Sequence, residues 1–202
     1  MTGVKICGLF RECDIDYVNE AAPDYVGFII DFPQSHRSID AERARLLRQR
    51  LKPGVRPVGV FVNQPLETAA AAAVRIGLDV IQLHGGEDDG YIAALRKRTG
   101  LPIWKAFQVR TADGLRAAAS SAADEIVLDN GYGTGSVFDW SLLTGFRRPF
   151  ILAGGLKPET IPQALRLFAP KLIDISSGVE TGKVKDREKI LAAVRAVREY
   201  QR

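Results

Sequence analysis

The sequence predicts a (βα)8 TIM barrel, a parallel eight-stranded sheet closed on itself and wrapped in helices. Three observations predict it. Eight short apolar runs alternate with amphipathic or Ala-rich stretches along 202 residues. The runs are continuously apolar, as parallel strands covered by helices are. The first run ends on Cys7-Gly8 and lacks the Gly-x-Gly-x-x-Gly fingerprint of an open doubly wound sheet.

Val4 to Leu9 reads as the first strand, ending on a thiol and turning at glycine. A short helix from Asp14 to Ala22 leads to the second strand, Tyr25 to Ile30, and a loop from Pro33 to Ser38. Asp40 then caps a helix with Ala44, Leu47 and Leu51 on one face, ended by Pro53-Gly54. Pro57 to Val62 is the third strand, followed by an Ala-rich helix that runs to Ile76 and stops at Gly77. Val80 to Leu83 is the fourth, closing on His84-Gly85-Gly86 before a helix from about Gly90 to Thr99. Ile103 to Phe107 is the fifth, with its helix from Thr111 to Ser121. Glu125 to Leu128 is the sixth, ending on Asp129-Asn130 before a glycine-rich loop and a single short helical turn at Trp140 to Leu143. Phe150 to Ala153 is the seventh, and Pro158 is expected to open a helix with Ile161, Leu165 and Phe168 in register. Leu172 to Ile175 is the eighth, and a helix from Asp186 to Tyr200 closes the chain.

No linker or low-complexity break divides these units, so one domain over residues 1–202 is expected. Lys plus Arg exceed Asp plus Glu by 28 to 24, a diffuse excess that suits a small anion rather than nucleic acid. The basic residues of Arg43–Lys52 and Lys183–Arg202 are expected on solvated helix faces. Cys7 and Cys13 are the only cysteines, too few for a disulfide framework and without metal-ligand spacing. No apolar run reaches the roughly 20 residues of a membrane helix, and a cytoplasmic protein without membrane partners is expected.

In a (βα)8 barrel the loops after the strands form the face that carries the site. Here they offer Cys7, Arg37, His84, Asp129, Gly154-Gly155 and Ser177-Gly178. The last two pairs follow strands seven and eight, where barrels commonly bind phosphate through backbone N–H groups. Taken singly, Cys7 could be a small buried hydrophobe, Asp129 a turn residue and Arg37 a surface charge. Together they put an acid, a thiol and a cation around one phosphate cradle.

Val4-Lys-Ile-Cys-Gly8, Ser35-His-Arg37, Val58-Gly-Val-Phe-Val62, Gln82-Leu-His-Gly85, Leu128-Asp129 with Gly133-Thr-Gly135 and Phe138-Asp-Trp140, Ala153-Gly-Gly-Leu156, and Asp174-Ile-Ser-Ser-Gly-Val-Glu180 occur in an order and spacing that resembles phosphoribosylanthranilate isomerase of tryptophan biosynthesis. The resemblance runs from the first strand to the last helix. It implies a cofactor-free Amadori rearrangement of a phosphosugar, with Cys7 as general base, Asp129 as general acid and Arg37 receiving the anthranilate carboxylate. Gly154, Gly155, Ser177 and Gly178 would hold phosphate, His84 would line the site, and the Gly133–Gly135 loop would close near the sugar. No metal is implied, and a monomer or homodimer is expected.

The chemistry suits those residue types. Opening the furanose needs a proton on the ring oxygen, which a carboxylic acid can deliver if burial raises its pKa. A thiol of ordinary pKa about 8.5 is only a few per cent thiolate at neutral pH, so Cys7 needs nearby positive charge. Lys5 lies on the same side of the strand, two residues deeper. The rivals are the histidine-pathway isomerase, which uses a carboxylate where this chain has Cys7; indoleglycerol-phosphate synthase, which relies on lysines at strand ends; and a non-catalytic phosphate-binding barrel.

Overall fold

The structure, a computed structural model, describes residues 1–109, 112–129, 143 and 145–200. Eight parallel strands form a closed ring: β1 (Gly3–Cys7), β2 (Tyr25–Ile30), β4 (Arg56–Phe61), β5 (Val80–Leu83), β6 (Ile103–Gln108), β7 (Glu125–Asp129), β8 (Ile151–Leu152) and β9 (Leu172–Ile175). Closure comes from β1, which pairs with β2 through Lys5 to Tyr25 and with β9 through Lys5 to Asp174. The two-residue strand β3 (Ser38–Ile39) extends beside β2. Around the ring stand α1 (Glu12–Ala21), α2 (Ala41–Gln49), α3 (Leu66–Ile76), α4 (Asp89–Thr99), α5 (Ala112–Ser120), α6 (Ile161–Phe168) and α7 (Arg187–Tyr200).

Period-two alternation sorts each strand into two faces. Ile6, Phe28, Ile81, Leu128 and Ile173 pack outward with Ala69, Ile92, Leu165 and Ile190 of the helices in one continuous apolar layer. Each such Leu, Ile or Phe, fully buried, is worth about 1.5–3 kcal/mol, and that layer carries most of the apolar stabilisation. The opposite positions, among them Val58, Val80, Trp104, Val127, Ile151 and Leu172, fill the barrel interior as a smaller cluster. Lys5 and Cys7, Gln82, Asp129 and Asp174 share that inward parity.

Most expected boundaries agree with the structure to within one or two residues. The Asp40 cap is present, its side chain accepting from the Arg43 N–H, and α3 ends at Gly77. Pro158 does not open the helix that follows the seventh strand of the ring. The segment after Lys157 is a turn in which Thr160 Oγ1 accepts from the Lys157 N–H at 3.0 Å, and α6 starts at Ile161 with Pro162 in its first turn. That turn provides locally the bonds a helix start would have supplied. Between the last strand of the ring and α7 lies a further element, a hairpin of β10 (Glu180–Thr181) and β11 (Val184–Lys185) turning at Gly182-Lys183. It corrects the placement of Lys185, which is 2% exposed inside this hairpin rather than on a solvated helix face. The basic residues of α2 do face solvent, with Arg43 and Arg50 reaching Glu12 on α1. The short helical turn expected at 140–143 lies largely outside the described residues. No helix among the described residues is long and apolar enough to cross a membrane.

Candidate active site

Cys7 is the last residue of β1 and faces the barrel interior, 8% exposed. Its sulfur has room because Gly27, paired with it on β2, has no side chain. A Cβ there would lie 2.7 Å from Cys7 Sγ and 3.2 Å from Lys5 Cε. Both side chains therefore lie over Gly27. Lys5 is fully buried, and its Nζ donates to Asp174 Oδ2 at 2.7 Å. The second oxygen of that carboxylate, Asp174 Oδ1, is buried with no hydrogen-bond partner among the described residues. Burial pushes the Cys7 thiol above its ordinary value; the Lys5 ammonium opposes that, and the Asp174 carboxylate adds to it. Burial acts to lower Lys5, but Asp174 outweighs it and keeps the ammonium charged.

A second charged cluster adjoins the first. Arg37 Nε and Nη2 donate to Glu180 Oε1 and Oε2 at 2.6 and 2.7 Å, a bidentate pair. Lys185 Nζ donates to Glu180 Oε1 at 2.7 Å and to Ser176 O at 3.0 Å. Arg37 crosses Gly8, where an added Cβ would meet its Cδ at 2.5 Å. Burial works to raise the Glu180 carboxyl, but Arg37 and Lys185 outweigh it and hold it down to about 2. A depressed carboxyl stabilises the fold above its unfolded value of 4.5 and loses that contribution as pH falls from 4.5 towards 2. Urea unfolding at pH 6 and pH 3 is expected to show a smaller acid loss in Glu180→Gln than in the parent; an equal loss would remove Glu180 from the acid sensitivity.

Asp129 ends β7 with its side chain 13% exposed, and His84, one residue past β5, brings Nε2 to 3.4 Å from Asp129 Oδ2. His84 thus lines the site against the expected acid. Lys105 faces outward instead: its Nζ donates to Gly85 O at 2.6 Å and Glu87 Oε2 at 3.1 Å, pinning the loop that carries His84. The first loop is fastened as well, since Arg11 donates to Asp14 and to Lys185 O at 2.7 Å.

The loops after β8 and β9 meet. Gly154 and Gly155 take φ of 87° and 66°, and their N–H groups find no acceptor among the described residues. Ser177–Val179 forms one 3-10 turn, and Gly178 lies so close to the Leu156 carbonyl that a Cβ could not fit between them. The two predicted phosphate loops are one surface. Asn130 and the Gly133–Gly135 and Phe138–Trp140 segments fall outside the described residues.

Sequence reasoning left Asp174, Glu180 and Lys185 without roles. The available signal was a charged residue interrupting each of two apolar strands, Lys5 on β1 and Asp174 on β9. A buried charge requires a partner.

Residues 4–196 match the family model described as N-(5'phosphoribosyl)anthranilate (PRA) isomerase. The N-(5'-phosphoribosyl)anthranilate isomerase of Caldanaerobacter subterraneus subsp. tengcongensis is 40% identical over 205 residues, covering 98% of both chains. That of Endomicrobium trichonymphae is 42% identical over 204 residues, covering 98% of this chain and 99% of its own. Among solved structures, the phosphoribosyl anthranilate isomerase of Thermotoga maritima superposes with a TM-score of 0.90 at 34% identity, covering 98% of this chain and 100% of its own. A phosphoribosyl anthranilate isomerase in complex with reduced 1-(o-carboxyphenylamino)-1-deoxyribulose 5-phosphate gives a TM-score of 0.88 at 33% identity, with coverage of 98% and 100%. Monomers generated from the dimeric Thermotoga maritima protein give 0.86 at 34% identity, with coverage of 98% and 99%. With the barrel and the similarity over 98% of the chain in agreement, the chain belongs to the phosphoribosylanthranilate isomerase family.

Proposed function

We propose that this chain catalyses the Amadori rearrangement of N-(5-phosphoribosyl)anthranilate to 1-(2-carboxyphenylamino)-1-deoxyribulose 5-phosphate in tryptophan biosynthesis, with Asp129 as general acid and Cys7 as general base. One observation carries the assignment of roles: an inward thiol and an inward carboxyl end β1 and β7, on either side of the β8 and β9 loops. The Asp129 carboxylic acid gives its proton to the ring oxygen as the C1–O bond breaks, producing the open Schiff base. The Cys7 thiolate then takes the C2 proton to give the enolamine, which becomes the ketone as the C2 hydroxyl gives up its proton and C1 takes one. The scheme moves protons alone and needs no cofactor.

Arg37 spends Nε and Nη2 on Glu180, which leaves Nη1 to receive the anthranilate carboxylate. Gly154, Gly155, Ser177 and Gly178 hold the phosphate through backbone N–H groups and the serine hydroxyl, and His84 steadies Asp129. The chain acts as one cytoplasmic domain, as a monomer or a homodimer.

The test is direct. Purified protein mixed with fresh phosphoribosylanthranilate is expected to consume it, followed as a loss of anthranilate-type fluorescence. A folded protein that leaves the substrate untouched would transfer the case to the non-catalytic phosphate-binding barrel.

A further inference from the structure

The barrel interior holds a buried ion pair that the proposed chemistry does not use. Lysine is almost never buried without a partner, and replacing a buried pair by apolar side chains is often neutral or stabilising. Stability alone is therefore a weak reason for Lys5 and Asp174 to occupy positions that bulky apolar residues fill elsewhere in the ring. Their placement is specific. Lys5 and Cys7 share one face of β1 and lie together over Gly27. Asp174 takes one of the three ammonium donors of Lys5.

The charges around Cys7 can be enumerated by element. Its own strand contributes Lys5, and β9 contributes Asp174. The loop after β2 contributes Arg37, and the hairpin of β10 and β11 contributes Glu180 and Lys185. Glu180 engages Arg37 and Lys185 together, one carboxylate shared by two cations, so that cluster keeps a net positive charge and Lys185 also favours the thiolate. Lys5 is nevertheless the cation that acts on the thiol most strongly, lying beside it over Gly27, and Asp174 engages it through a single oxygen among the described residues.

We propose that Lys5 is a positioning residue for the rearrangement: its buried ammonium, oriented by Asp174, stabilises Cys7 as the thiolate that takes the C2 proton. This rests on Cys7 being the base. Asp174 has two opposed effects, fixing the ammonium and competing with the thiolate for it. The two members of one ion pair therefore act on the thiol in opposite directions.

That opposition supplies the test. In a Cys13→Ala background, where Cys7 is the remaining cysteine, the rate of alkylation by iodoacetamide is measured against pH without substrate. Lys5→Met is expected to move the midpoint up by about one pH unit or more, the size of losing an opposite charge within about 4–6 Å. Asp174→Asn is expected to move it down, because the thiolate becomes the ammonium's buried anionic partner. A purely structural pair is broken equally by either change, so midpoints that stay fixed or move the same way would overturn the proposal. If Lys5→Met does not fold, Asp174→Asn decides alone: a downward shift supports the proposal, and no shift or an upward one overturns it. Turnover is assayed separately in Cys7→Ala. Retained turnover there would sink the base assignment itself, whatever the titrations show.

Discussion

Asp129→Ala is expected to lower turnover of phosphoribosylanthranilate by about 10²–10⁴-fold, and Cys7→Ala by a similar factor, the range of a lost general acid or base. Both losses should fall on kcat rather than KM, because neither residue belongs to the surface proposed for phosphate or anthranilate. The environments predict different responses to conservative replacement. Cys7 is enclosed, with Gly27 beneath it and charge on several sides. Serine there fits the space but its hydroxyl ionises far less readily than a thiol, so Cys7→Ser should behave like Cys7→Ala. Asp129 is touched by His84 at 3.4 Å, and Asp129→Asn preserves that contact in shape while lacking the acid, so it too should fail. The double variant should lose far less than the product of the single losses, because two groups serving one sequence of proton transfers are not additive. Steady-state kinetics check all three expectations, and a single variant within threefold of the parent would remove that residue from the mechanism.

Gly178→Val is expected to cost about 1–3 kcal/mol or more of stability, the scale of overpacking a filled space, and to raise KM several-fold in whatever protein still folds. The cause is space: the new Cβ would fall on the Leu156 carbonyl, with Lys157 Cα also only 3.2 Å away. Leu156 is itself 3% exposed, so that backbone has little freedom to retreat. Since the β8 and β9 loops touch at this point, forcing them apart widens the proposed phosphate cradle directly. Thermal denaturation and KM for the phosphorylated substrate check both halves of the expectation. A variant with parent stability and parent KM would show that the contact between the loops does not shape the cradle.

What the sequence makes legible follows from how locally each feature is encoded. Cys7-Gly8, Leu83-His84 and Leu128-Asp129 announce themselves because a strand end and its turn are neighbours in the chain; Cys7 and Asp129 take the inward positions of their strands, and His84 reaches Asp129. The glycines proposed to hold phosphate are legible for the same reason. The Lys5 to Asp174 pair is not, since its partners are 169 residues apart and meet only if the first and last strands are adjacent. Parity shows that Lys5 faces inward but not what it meets. The β10 to β11 hairpin escapes because two-residue strands carry no periodicity, and with it escape Glu180 and Lys185. Pro158 misleads because a proline starting a turn and a proline starting a helix present the same local signature; the bonds of Thr160 decide between them.

Ring closure by β1 also has a bearing on how the protein comes to be active. Contacts between distant parts of a chain slow folding, because the intervening loop must lose its freedom before the contact repays it. Here the seam joining Gly3–Ile6 to Leu172–Ile175 is the most distant pairing in the sheet. During synthesis β1 emerges before β9, with one of its edges waiting for a strand still to be made, and an exposed strand edge invites pairing with other chains. The same seam brings Asp174 to Lys5, and the residues just after it bring Glu180 to Arg37. An incomplete barrel would therefore hold a thiol without its electrostatic surroundings, and chemical competence would arrive in the same late step that removes the aggregation-prone edge.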